Sequence, residues 1–170
     1  MKQIVLAFSV LLIASLTAVG QNQAHILAPA DQKFGPIPNF PKCMTGAVLH
    51  GDPSSANGVT LIGKGTPGCR IPWHFHTPNE QVGIISGTAK LQMKDEDAKT
   101  LTAGGYAYLP SKHQHEFICV TACKLFAGAD GAFDIHYVDA SGSEISLDEA
   151  LKSGKMGMKR AEGAKATPKK

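Results

Sequence analysis

Apolar residues in this chain come in short runs cut by turn residues, and the runs repeat from about Thr45 onward. "GAVLHGDP" is followed by "GVTLIGKG", then by "EQVGIISG" and "TAKLQMK". In the last of these, Ala89, Leu91 and Met93 alternate with Lys90, Gln92 and Lys94. That period of two sets one face of a strand in a core and the other in water. "DEDA" interrupts the series as a polar turn. "YAYLP", "HEFICV", "CKLFAG" and "AFDIHYV" resume it, the last with Phe133, Ile135 and Tyr137 on one face. Many short strands at close turn spacing predict an all-β sandwich or barrel over residues 45–140.

The flanks carry other patterns. Residues 21–44, which include "QNQAHILAPADQKFGPIPNFPK", are proline-rich and aperiodic, and predict an extended arm. In residues 141–170, Ser146 and Glu149 form a capping box in "SLDEALKSG", with Gly154 as the stop, so a short helix is expected. The following "KMGMKRAEGAKATPKK" is basic and poor in apolar residues, and predicts disorder. Residues 1–20, "MKQIVLAFSVLLIASLTAVG", have the layout of a secretory signal peptide: Lys2, an apolar run from Ile4 to Ala14, then small residues. The run is short for a membrane span, and no Arg-Arg pair or lipidation cysteine accompanies it. The expectation is an exported protein, periplasmic or extracellular, with no membrane attachment after cleavage.

Composition narrows this further. A length of 170 residues, 43% of them apolar, supports one domain with a real core. Eighteen glycines and ten prolines favour a turn-rich β fold over a helical bundle. The net charge of +3, which falls to +2 without Lys2, is too small and too scattered to indicate a nucleic-acid partner. Export makes disulfides admissible among the four cysteines. Cys119 and Cys123 flank "VTA" and could face each other across two strands, leaving Cys43 and Cys69. Four cysteines allow three pairings, and buried free thiols are an equal alternative.

The chemistry concentrates in "GCRIPWHFHTPNEQVGIISG", residues 68–87. His74 and His76 stand at i and i+2 of an expected strand, so they share a face and can converge on one point. "TPN" turns the chain, and Glu80 enters the next strand within reach. Imidazoles plus a carboxylate suit a divalent transition metal such as Mn, Fe, Ni, Cu or Zn. A further ligand must come from elsewhere, and "LPSKHQHEF" offers His113 or His115. Trp73 and Phe75 then point outward, toward the arm or another subunit, which leaves room for a homodimer. Phe117 shares the parity of His115 and suits a pocket wall. Tyr106 and Tyr108 share a face, with core or interface use favoured over ligand contact. His25, His50 and His136 lie outside these stretches and receive no role. No nucleophile elbow is present to support triad hydrolysis.

Residues 68–87 fit G-x5-H-x-H-x3-E-x6-G at every fixed position, through Gly68, His74, His76, Glu80 and Gly87. In this the chain resembles the cupin superfamily. The second cupin pattern, G-x5-P-x-G-x2-H-x3-N, is met by Gly104, Pro110 and His115 in "GGYAYLPSKHQHEFIC". Lys112 replaces its second glycine and Cys119 its asparagine. The resemblance covers residues 45–140 and implies a single double-stranded β-helix barrel. It also implies a metal held by His74, His76, Glu80 and His115, with His113 as the alternative fourth ligand. The implied partner is a small molecule. An exported metalloenzyme acting on an oxygen-bearing molecule is favoured, with Glu80 as ligand and proton acceptor; dioxygenase, decarboxylase and isomerase chemistries all fit. A metal-dependent binding or sensing module, or a purely structural site, would use the same ligands.

Overall fold

The computed structural model describes residues 24–153. The expected signal peptide, the first residues of the arm, the Gly154 stop and the basic tail lie outside the described residues.

Twelve strands form among the described residues: β1 (Gly35–Pro36), β2 (Met44–Gly51), β3 (Val59–Gly65), β4 (Arg70–Phe75), β5 (Glu80–Ser86), β6 (Ala89–Met93), β7 (Lys99–Leu101), β8 (Tyr106–Leu109), β9 (His115–Cys119), β10 (Cys123–Ala129), β11 (His136–Val138) and β12 (Glu144–Ile145). They make two six-stranded sheets, ordered β1-β2-β3-β10-β5-β8 and β12-β11-β4-β9-β6-β7. Every pairing is antiparallel. From β3 to β6 and again from β7 to β11, consecutive strands alternate between the two sheets, and the architecture is the double-stranded β-helix. Alternating positions face inward as the pattern requires. Ala89 and Leu91 of β6 are buried, as are His115, Phe117 and Cys119 of β9 and Leu125, Ala127 and Ala129 of β10. Each large aliphatic side chain taken from water in this way is worth about 1.5–3 kcal/mol.

Three details depart from the sequence pattern. "AFDIHYV" gives a strand only over His136–Val138. Its first half spends backbone groups elsewhere: the Phe133 N–H donates to Pro53 O, and Asp134 O accepts from His76. Strands β7 and β12 arise in polar segments that carry no alternation of their own. The arm is not simply extended, because Gly35 and Pro36 pair with Gly46 and Thr45 of β2. Downstream, the capping box forms as its sequence implies. The Glu149 N–H donates to Ser146 Oγ at 3.3 Å and the Ser146 N–H to Glu149 Oε2 at 2.9 Å, opening a helix over residues 147–153.

Both disulfides form at one end of the barrel, Cys43–Cys69 and Cys119–Cys123, with Cα separations of 5.5 and 5.6 Å. Cys119 and Cys123 do not face each other across a hairpin: β9 and β10 belong to different sheets, so the bridge closes the corner between them. Gly65 makes room for it, since a Cβ there would lie 2.4 Å from Cys119 Sγ. The Cys43–Cys69 bridge ties the base of the arm to β4. With a sequence separation of 26, loop entropy gives it a stabilisation of about 3.5 kcal/mol.

Lys112, which stands where the cupin pattern has glycine, keeps the glycine conformation with φ of 60°. Its N–H donates to His76 O at 2.8 Å, so the turn after Pro110 is pinned to the end of β4 despite its side chain. A left-handed backbone costs an L-residue about 1–2 kcal/mol, against about 0.5–1 kcal/mol of extra chain entropy for glycine. Lys112→Gly is therefore expected to leave stability unchanged or raise it by up to about 1 kcal/mol, read from urea unfolding midpoints. A loss above 1 kcal/mol would mean the lysine side chain supplies support that the backbone account omits.

Candidate metal centre

His74, His76, Glu80 and His115 come together inside the barrel, all four buried. His74 on β4 and His115 on β9 are register partners, and Tyr137 of β11 and Met93 of β6 extend the same cross-strand row. A register shift between Ile71 and His74 adjusts the inward parity of β4 just before the ligand pair. His76 lies one residue past the end of β4, and Glu80 is the first residue of β5 in the opposite sheet. Ring centroids of His74 and His115 are 4.1 Å apart, those of His74 and His76 4.9 Å. One nitrogen from each histidine lies within 4.8 Å of the others. Glu80 Oε2 stands 3.3 Å from His76 Nε2 and 3.5 Å from His115 Nε2.

The Nδ1 atoms settle the chemistry of the cluster. His74 Nδ1 meets Pro72 O at 2.6 Å, His115 Nδ1 meets His113 O at 2.9 Å, and His76 Nδ1 meets Asp134 O. A carbonyl oxygen can only accept, so each Nδ1 carries the hydrogen. Each neutral ring therefore presents the Nε2 lone pair. Lone pairs converging with a carboxylate in a buried site repel one another unless a cation sits among them. The donor set of three imidazoles and one carboxylate is the kind that holds a divalent transition metal, and the backbone carbonyls fix the tautomers as supports of metal-bound histidines do.

The charges of the cluster without a metal follow from the same geometry. Burial drives the His74 imidazole well below its usual range, and the neighbouring His115 and His76 add to this. His76 is buried too, which acts to lower it, but the Glu80 carboxylate wins and its pKa is raised. Burial acts to raise Glu80, yet His76 and His115 hold it well below the usual carboxylate range. A proton on His76 thus occupies the cationic role.

Several supports were not evident from sequence. Asn79, just before Glu80, donates from its N–H to Asp130 Oδ1 at 2.9 Å and from Nδ2 to Asp130 Oδ2 at 2.6 Å, while its Oδ1 accepts from Ser111 N–H at 2.9 Å. Asp134 Oδ1 accepts from the Thr77 N–H at 2.7 Å. The "TPN" turn that aims Glu80 is therefore clamped from two loops; the only sequence signal was the polar character of residues flanking the motif glutamate.

His113 stays outside the cluster and supplies only its carbonyl. Phe117 lines the barrel interior. Tyr106 and Tyr108 are exposed on the outer face of their sheet, away from the cavity. Phe75 stacks on His136 at 4.8 Å and Trp73 borders an outer polar groove, so neither packs against the arm. Arg70 pairs with Glu116 on that outer face, and Lys112 is exposed.

The cluster opens into a small cavity of about 50 Å³. Apart from the four clustered side chains, its walls are apolar, with Leu61, Val82, Leu91, Leu109 and Phe117 among them. No lysine or arginine lines it among the described residues.

A two-sheet antiparallel barrel with a buried histidine–carboxylate cluster at one end defines the class. Residues 65–127 match the Cupin domain family. Solved structures agree in fold. An RmlC-like cupin from Shewanella frigidimarina is similar at 18% identity, covering 66% of this chain and 96% of that one with a TM-score of 0.56. The polyketide cyclase RemF from Streptomyces resistomycificus is similar at 18% identity over 69% of this chain and 87% of that one, with a TM-score of 0.61. An RmlC-like cupin protein from Ralstonia eutropha gives 19% identity over 79% and 88%, with a TM-score of 0.59. Among curated proteins none matches the chain. The matched segment and the structural neighbours together give the chain a cupin fold.

The protonation pattern sets a pH profile for the metal-free protein. A depressed Glu80 and a depressed His74 make stability rise with pH through about 4.5 and then up to about 6.5, where the unfolded groups lose their protons. A raised His76 adds stability that is full below about 6.5 and lost as pH climbs through its folded value; His136, raised by Glu144 and Asp134, acts in the same direction. Thermal melts of metal-free protein should therefore peak near pH 6–6.5 and decline toward pH 8. Melts with saturating metal should lose the His76 share of the alkaline decline, because the cation replaces the proton, and keep only the smaller share from His136. Parallel profiles for the two forms would contradict this assignment.

Proposed function

We propose that this protein is an exported mononuclear metal-binding cupin whose metal, held by His74, His76, Glu80 and His115, acts on a small oxygen-bearing molecule. The observation that carries the reading is the set of Nε2 lone pairs, fixed by backbone carbonyls, gathered with one carboxylate at the end of an apolar cavity. A bound divalent ion would supply Lewis acidity and coordination positions beyond the four protein ligands. The three imidazoles bind without adding charge. Glu80 binds, and its carboxylate can also take a proton from a molecule in the cavity. The apolar walls exclude water and strengthen every electrostatic contact inside. The polyketide cyclase among the structural neighbours fits a small-molecule role, while the diversity of such neighbours leaves the reaction itself to experiment. Export is supported by the N-terminal pattern and by two disulfides, which persist outside the cytoplasm.

The second reading, a metal-dependent binding module without turnover, uses the same ligands, and Glu80 separates the two. His74→Ala, His76→Ala and His115→Ala are each expected to fold and to lose most bound metal in elemental analysis, while His113→Ala keeps it. Full metal content in the three ligand variants would refute the site. Glu80→Gln, equally metallated, is expected to lose turnover across a panel of diketones, phenols and small acids followed by oxygen uptake and product formation. A wild type that binds a panel member tightly and transforms none favours the binding module.

A further inference from the structure

The arm before the barrel does more than join it. Ile37 and Phe40 line the same cavity as the histidine cluster. The short β1–β2 pairing brings the arm across β2, and Ile37 settles against Gly46, where a Cβ would lie 2.8 Å from its Cδ1. The chain then turns tightly: the Phe40 N–H donates to Ile37 O at 3.1 Å, and Asn39 takes a left-handed φ of 59°. The turn is latched from the barrel side by the Tyr137 hydroxyl, which donates to Asn39 O at 2.9 Å. Three residues beyond Phe40, Cys43 is bonded to Cys69. The result is an aromatic file, with Phe40 6.0 Å from Phe133 and Phe133 stacked 4.8 Å from His76. A loose extension would need none of these fixtures.

Resting on the metal reading above, we infer that Phe40 and Ile37 form the specificity-determining wall of the site, and that the ligand is a monoanionic oxygen chelator with an uncharged, apolar body lying against them. A divalent ion held by three neutral imidazoles and one carboxylate retains one net positive charge, which one negative charge on the ligand cancels. Away from that head the cavity offers neither a charged partner nor a hydrogen-bond donor. A second charge on the ligand would be buried unpaired, whereas methylene groups gain from the apolar lining. The arm sets how far such a body can extend.

Alkyl hydroxamates are suitable probes, because they pair one anionic chelating head with a body of chosen length. Binding to cobalt-loaded protein is followed through the visible spectrum of the metal. Affinity is expected to rise about fourfold per methylene from acetohydroxamate upward, until the chain meets the arm. A terminal amine on a chain of accepted length should weaken binding at least tenfold. Phe40→Ala should extend the longest accepted chain by two or more carbons at unchanged cobalt content, and Ile37→Ala, which thins the same wall, should shift it the same way. Cobalt content and thermal melts establish that both variants are folded and loaded. An identical length profile in wild type and both variants overturns the arm assignment and leaves the metal centre standing. Equal tolerance of the amine overturns the apolar-body assignment. Failure of the wild type to take up cobalt or any other divalent transition metal overturns both readings together.

Discussion

Three backbone carbonyls, on Pro72, His113 and Asp134, each accept a hydrogen from a histidine Nδ1, and the rest of the site follows from this. They hold the protons on the far side of the rings and aim three lone pairs at Glu80 from inside a buried space. Such an arrangement is unfavourable by itself. It is tolerable with one cation among the four groups, whether a proton on His76 or a metal ion. Two of the three carbonyls stand two residues before the histidine they orient, so local chain geometry supplies them. The third comes from Asp134, which explains why the segment before β11 gives up its strand pairing.

The fold exists around this constraint. Alternating sheets place His74 and His115 in one register row of one sheet, and Glu80 at the start of a strand in the other. The turn between them is short, and Asn79, Asp130 and Ser111 hold it in place. At the opposite end of the barrel, two disulfides close a corner and fasten the arm, so the stapled end and the chemical end are separate. The cavity between them is apolar except where the cluster breaks its surface. That asymmetry makes the cluster, among the described residues lining this cavity, the place where a polar ligand group finds side-chain partners.

Much of this was legible in the chain. Strands with clean alternation, such as Ala89–Met93, were evident because each buries one face against the core. The four clustered residues could be named from the spacing of two motifs, since i and i+2 on a strand share a face. The offset from Pro110 in the second motif favoured His115 over His113, and the structure brings His115 into the cluster while His113 contributes its carbonyl. What sequence could not give was anything decided by backbone atoms: the Asp134 carbonyl, the two-residue pairing of the arm and the polar strand Lys99–Leu101. Lys112 shows the limit from the other side. Its identity departs from the cupin pattern, yet its backbone keeps the glycine conformation because the Lys112 N–H must still reach His76 O. Cys119 likewise departs because it serves a bridge.

The central claim is that the four side chains jointly enclose a single metal ion. Anomalous diffraction from crystals grown with manganese or cobalt, with data at the absorption edge, tests it most directly. The account predicts one strong peak lying among His74 Nε2, His76 Nε2, His115 Nε2 and a Glu80 carboxylate oxygen, at coordination distances of about 2.0–2.2 Å. Crystals that show no peak there while ions bind at other surface sites would contradict it.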